Sequence, residues 1–110
     1  VEPVDGNDGG ARGLVEEARD DAGVRVVRLV GEVDISNADA IGEKLDQMLG
    51  DGNERLVVDL TALEFMDSSG IAMLLRAAGR VESIAVRNPT PVVRRIIECT
   101  GLADILRIEP

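Results

Sequence analysis

The chain has 110 residues, which suits a single domain, and its 45% apolar and 30% charged residues give the balance of a globular protein. With 21 acidic against 12 basic side chains the net charge is −9, which argues against nucleic acid as the main partner. The absence of His removes Ser-His-Asp and Cys-His catalysis and the commonest zinc ligand, and the single Cys99 rules out an intramolecular disulfide.

Residues 1–13, VEPVDGNDGGARG, are rich in Gly and Asp and carry no periodicity, so a flexible tail is expected there and a domain over residues 14–110. Leu14 to Arg19 predicts an edge strand, and Asp20-Asp21-Ala22-Gly23 supplies turn chemistry before a second strand over Val24 to Val33. The period then changes. Ala38, Ile41, Leu45, Met48 and Leu49 recur at three- and four-residue steps and predict a helix capped by Ser36 or Asn37 and ended by Gly50 to Asn53.

Leu56 to Leu60 is short, apolar and partly β-branched, the pattern of a central strand covered on both faces. Leu63, Phe65 and Met66 continue apolar until Asp67-Ser68-Ser69-Gly70 interrupts, and Ile71 to Ala78 then predicts a largely buried helix. Ile84 to Val86 predicts another strand. Thr90 and Pro91 open a third helix, as its cap and first helical residue, with Val92, Val93, Ile96 and Ile97 as the inward stripe. Cys99, three residues after Ile96, is expected to be a buried thiol. Leu102 to Ile108 is apolar enough for a last short strand or a docked extension. The order β-β-α-β-α-β-α-β implies an α/β domain with a mixed sheet of four to five strands and helices packed on it.

The polar interruption Asp67-Ser68-Ser69-Gly70 has two readings. One is a plain helix cap, in which Asp67 or Ser68 satisfies orphan N–H groups and Gly70 eases the turn. The other is a phosphate-carrying hydroxyl at a helix N-terminus, where the helix dipole tolerates added negative charge. Because the helix is otherwise apolar, such a site must lie at its exposed mouth.

Three blocks around the interruption bear on this choice. They are Leu29-Val30-Gly31-Glu32-Val33-Asp34, the segment from Leu56 through Asp67-Ser68-Ser69-Gly70-Ile71, and Val92-Val93-Arg94-Arg95-Ile96-Ile97-Glu98-Cys99-Thr100-Gly101-Leu102. In this order they resemble the STAS domain family, specifically the bacterial anti-sigma factor antagonists. The resemblance covers roughly residues 14–108 and implies a STAS-like single domain. It also implies a switch protein that binds an anti-sigma factor of the serine-kinase type and so frees a sigma factor. By the same resemblance the kinase phosphorylates Ser68, the modified antagonist lets go, and a PP2C-type phosphatase restores it. Asp34, Asp67, Ser68, Ser69 and Gly70 then form the partner interface, with Ser69 also able to act as a cap residue. Many members continue into a fourth helix; contacts mapped to that helix are not carried over to a sequence that ends at Pro110.

Other chemistries fit less well. Asp59, Glu64 and Asp67 could suggest a phospho-acceptor cluster, but Lys44, the one Lys, sits inside the first predicted helix. No G-x-x-x-x-G-K or G-x-G-x-x-G occurs, so no phosphate cradle is expected, and neither a cofactor nor a metal. No apolar run approaches ~18 residues and no basic, apolar leader opens the sequence, so a cytoplasmic protein without a membrane partner is expected; a monomer is expected as well. The alternative within the same family is a scaffold or ligand-sensing STAS domain of a stress-signalling complex.

Overall fold

The computed structural model describes residues 14–19, 24–49 and 55–109. The tail at 1–13, the turn at Asp20 to Gly23 and the helix stop at Gly50 to Asn53 lie outside the described residues. The elements run β1 (Leu14–Arg19), β2 (Arg25–Val33), α1 (Ala38–Met48), β3 (Arg55–Met66), α2 (Ser68–Ala78), β4 (Ser83–Arg87), α3 (Pro91–Cys99) and β5 (Arg107–Ile108). They form one five-stranded mixed sheet in the order β1-β2-β3-β4-β5. β1 pairs antiparallel with β2, and the other three pairings are parallel. The predicted element order is therefore the observed one.

Strand order equals chain order, so every parallel crossover steps in the same direction. Crossovers of one hand that all step the same way leave their helices on the same side of the sheet. The core agrees. Val27 and Leu29 of β2, Leu56, Val58 and Leu60 of β3, and Ile84 and Val86 of β4 cluster with Ile41 and Leu45 of α1, Met73 and Leu74 of α2, and Val93 and Ile97 of α3. Val26, Val57 and Ala85 lie in register on the opposite face, buried yet outside that cluster. β3 is thus a central strand buried on both faces, as expected, with Leu56, Val58 and Leu60 under the helices and Val57 on the opposite face. β3 also runs on past Leu60 to Met66.

β2 does not run straight. Its pairing with β3 shifts between Arg28 and Val30 and again between Gly31 and Glu32. Gly31 has φ +88°, a conformation costly for any residue with a Cβ, which accounts for Gly in the G-E-V-D segment. The irregularity leaves Glu32 exposed and Val33 fully buried at the strand end.

α3 starts as expected. Thr90 Oγ1 accepts from Val93 N–H at 3.4 Å and donates to the Leu63 carbonyl at 3.4 Å, and Pro91 occupies the first turn. Two expectations on this helix are corrected. Val92 is 54% exposed, because Val93 and Ile97, one turn apart, set the inward direction and Val92 sits a residue off it in the first turn. Cys99 is exposed, since it lies about 200° round the helix from Ile97. Among the described residues no helix is long and apolar enough to cross a membrane.

An exposed thiol reacts with little protection from the fold. A thiol reagent is therefore expected to label Cys99 in the native protein within about tenfold of the rate in denaturant. Strong protection in the native state, read by time-resolved mass spectrometry, would contradict this placement of α3.

Candidate functional site

The end of β2 and the end of β3 are register neighbours, with Val33 opposite Met66. Two turns leave from these adjacent ends. One, Asp34 to Asn37, leads into α1; the other is the single residue Asp67, which leads directly into α2. A hydrogen bond from Asp67 N–H to the Val33 carbonyl, at 3.1 Å, joins them.

Asp67 is the N-cap of α2. Its Oδ1 accepts from Ser69 N–H at 2.8 Å and from Gly70 N–H at 3.4 Å, and its carbonyl accepts from Gly70 N–H at 3.0 Å and Ile71 N–H at 3.2 Å. Of the two cap residues that the sequence offers, Asp67 and Ser68, it is Asp67 that satisfies the donors of Ser69 and Gly70. Gly70 is buried against the strand ends. A Cβ there would stand 2.9 Å from Met66 Cβ and 3.2 Å from Val33 Cγ1, so the helix can seat this closely only with Gly at that position.

Between cap and contact lies Ser68, the first helical residue. It is exposed, and its hydroxyl makes no hydrogen bond among the described residues. Ser69 is half-buried. The hydroxyl with room for a new group is thus that of Ser68.

The loop before α1 departs from expectation. Asn37 sits at the N-cap position of α1 but makes no side-chain cap bond. Its Oδ1 accepts from Asp34 N–H at 2.9 Å and its Nδ2 donates to the Glu32 carbonyl at 2.9 Å. Ser36 does not cap either; its N–H donates to Asp34 Oδ1 at 2.9 Å, and its hydroxyl donates to the same oxygen. The expected cap is corrected because the bend at Gly31 sets the Glu32 carbonyl within reach of Asn37, and the side chain closes the loop instead.

The structure therefore brings Asp34, Asp67, Ser68, Ser69 and Gly70 to one end of the sheet, with Asp34 and Asp67 half-buried on the adjacent turns joined through Val33. Among the described residues no group of three or more His, Cys, Asp or Glu could hold a metal ion, Asp59, Glu64 and Asp67 included. Sequence reasoning missed two apolar side chains at this end, Ile35 at 83% exposure and Phe65 at 43%. The one signal for Ile35 was an apolar residue flanked by turn formers in Asp34-Ile35-Ser36-Asn37.

The family model described as "Mlab, STAS domain" matches residues 17–108. The chain belongs to the STAS domain family. It is 35% identical over 94 residues to the anti-sigma F factor antagonist of Paenibacillus polymyxa, covering 78% of each chain. Its fold is similar to the crystal structure of an anti-sigma factor antagonist from Mycobacterium paratuberculosis, with TM-score 0.80, 29% identity, and 91% of this chain and 87% of that one covered. It is also similar to the anti-sigma factor antagonist SpoIIAA in its unphosphorylated form, with TM-score 0.71, 25% identity, and 87% and 88% covered.

Two substitutions test the geometry. Asp67→Ala removes the cap and is expected to lower stability by about 1 kcal/mol. Gly70→Ala gains at most ~1 kcal/mol of helix propensity, less in a first turn, but overpacks Met66 and Val33 at a cost of about 1–3 kcal/mol. A net loss is expected. Urea unfolding should show lower midpoints at unchanged slope for both variants. A Gly70→Ala protein as stable as the parent would contradict the tight seating of α2.

Proposed function

We propose that this chain is an anti-sigma factor antagonist whose binding face is the open end of α2, switched off by phosphorylation of Ser68. On this reading it binds an anti-sigma factor that is also a serine kinase, releases a sigma factor, and acts in the cytoplasm as a monomer. The kinase modifies Ser68 and a PP2C-type phosphatase reverses the change. The chain is a binding partner and a substrate, not an enzyme. Asp34, Asp67, Ser69 and Gly70 complete the face around Ser68.

The observation that carries this reading is the exposed, unbonded Ser68 hydroxyl at the first residue of a helix whose next two N–H groups Asp67 already satisfies. The names of the relatives support it, and the solved SpoIIAA is described as an unphosphorylated form.

The magnitudes separate fold from interface. A phosphate at a helix N-terminus gains ~0.3–1 kcal/mol from the helix dipole, offset in part by the nearby Asp67 carboxylate. The fold therefore barely changes. At a protein contact the same group, with a charge of about −1.5 to −2, must be desolvated beside Asp34 and Asp67, which can cost several kcal/mol. Each 1.4 kcal/mol is about tenfold in affinity, so binding falls ~100-fold or more.

The test is mass spectrometry of the protein treated with the anti-sigma factor kinase of its source organism, followed by titration of each form against that kinase. Phosphate is expected on Ser68, with affinity reduced ~100-fold or more. Ser68→Ala should bind and take no phosphate; Ser68→Asp should weaken binding only in part, since it adds one charge where phosphate adds nearly two. Phosphate on Ser69 or a Thr, or tight binding by the Ser68-phosphorylated form, would overturn the proposal.

A further inference from the structure

We propose that Ile35 is the apolar anchor of the binding face and that Asn37 is the positioning residue that holds it out; this rests on reading the end of α2 as the partner-binding face. A single exposed apolar residue is ordinary. Ile35 differs in two respects: it is the most exposed of the large apolar side chains among the described residues, at 83%, and the loop that carries it is fixed.

The fixing is done by side chains that forgo their usual work. Asn37 stands at the cap position of α1, yet it bonds Asp34 N–H and the Glu32 carbonyl, both at 2.9 Å. Asp34 Oδ1 accepts from the N–H and the hydroxyl of Ser36. The Asp34 carbonyl accepts from Asn37 N–H at 3.1 Å and Ala38 N–H at 2.8 Å. Ile35 is thus held in water by a closed hydrogen-bonded loop. An apolar side chain held this way gains its transfer free energy on docking and loses little loop entropy in doing so.

Position and charge name the occupant. The loop begins one residue past Val33, whose carbonyl accepts from Asp67 N–H, so Ile35 and Ser68 share one end of the sheet. Phe65, 43% exposed, lies on the next strand in register with Glu32. At this end of the sheet Glu32 and Glu64 are exposed around Phe65, and Asp34 and Asp67 are half-buried on the two turns beside Ser68. An acidic rim of this kind disfavours an anionic lipid surface or a nucleic acid. It fits a protein face with an apolar socket for a branched aliphatic side chain. The occupant is therefore the partner already proposed for this face, the anti-sigma factor itself, and the contact with Ile35 brings it against Ser68, where an added phosphate has no room.

The experiment is a double-mutant cycle. Purified parent, Ile35→Ser, Asn37→Ala and the double variant are titrated against the purified source-organism kinase that phosphorylates Ser68, with the melting temperature of each free protein as control. Ile35→Ser is expected to leave the melting temperature within about 3 °C. It should weaken binding about 10- to 100-fold. Asn37→Ala should weaken binding about 3- to 10-fold in the parent and less than about twofold in the Ile35→Ser background, a non-additivity that a merely structural role would not produce. If Asn37→Ala does not fold, Ser36→Ala, which loses the hydroxyl bond to Asp34, serves in its place. Binding by Ile35→Ser within about threefold of the parent, with Ser68 still phosphorylated, overturns the anchor and leaves the proposed function standing. Additive losses overturn the positioning role of Asn37. A parent protein that no such kinase binds overturns the proposed function and this inference together.

Discussion

The close seat of Gly70 on Val33 and Met66 is the contact on which the rest of the site depends. With a Cβ at residue 70 the nearest atom would be 2.9 Å away, so α2 could not start where it does. Because it starts there, one residue suffices to pass from β3 to α2. That residue, Asp67, donates its N–H to Val33 and caps the helix with its carboxylate. Ser68 then has no direction left but outward. A helix set back to admit a side chain at residue 70 would need a longer turn than the single residue Asp67.

The location follows from topology. Parallel strands in sequential order gather their outgoing loops at one edge, and in open sheets of this kind the carboxyl ends of the strands are where binding is found. Here the loops from β2 and β3 meet through the hydrogen bond between Asp67 and Val33. One side of this junction is buried core, with Val33 and Met66 wholly inaccessible. The other side is exposed and acidic. A charge added to the outer side changes what the surface can bind while the core below is untouched. In the proposed switch, that separation is what lets a phosphate on Ser68 change binding without unfolding the domain.

Most of the fold was legible in the sequence because its signals are local. The change from alternating to three- and four-residue spacing marked α1, the Thr90-Pro91 pair marked the start of α3, and Asp67 announced a cap that the structure bears out. What was not legible depended on other parts of the chain. Asn37 looks like a cap, yet the Glu32 carbonyl competes for it, and that carbonyl is in reach only because Gly31 bends β2. Cys99 follows Ile96 by three residues, but Ile96 is itself at the edge of the buried stripe, so the spacing led outward. Coverage of β3 by helices on one face is set by the direction of the crossovers, which no single segment records. Ile35 was hidden for the opposite reason: an apolar residue in a turn reads as unremarkable until the hydrogen bonds around it show that it is held in place.

Charge on Ser68 is proposed to alter the binding surface and to leave the domain beneath it unchanged. The most direct measurement is a comparison of backbone amide resonances between the unmodified and the Ser68-phosphorylated protein. Shifts are expected only at residues 33–37 and 65–71, with the resonances of β4 and α3 in place. Shifts that spread through β4 and α3, or a general loss of dispersion, would show that phosphorylation works by disturbing the fold, and would contradict that proposal.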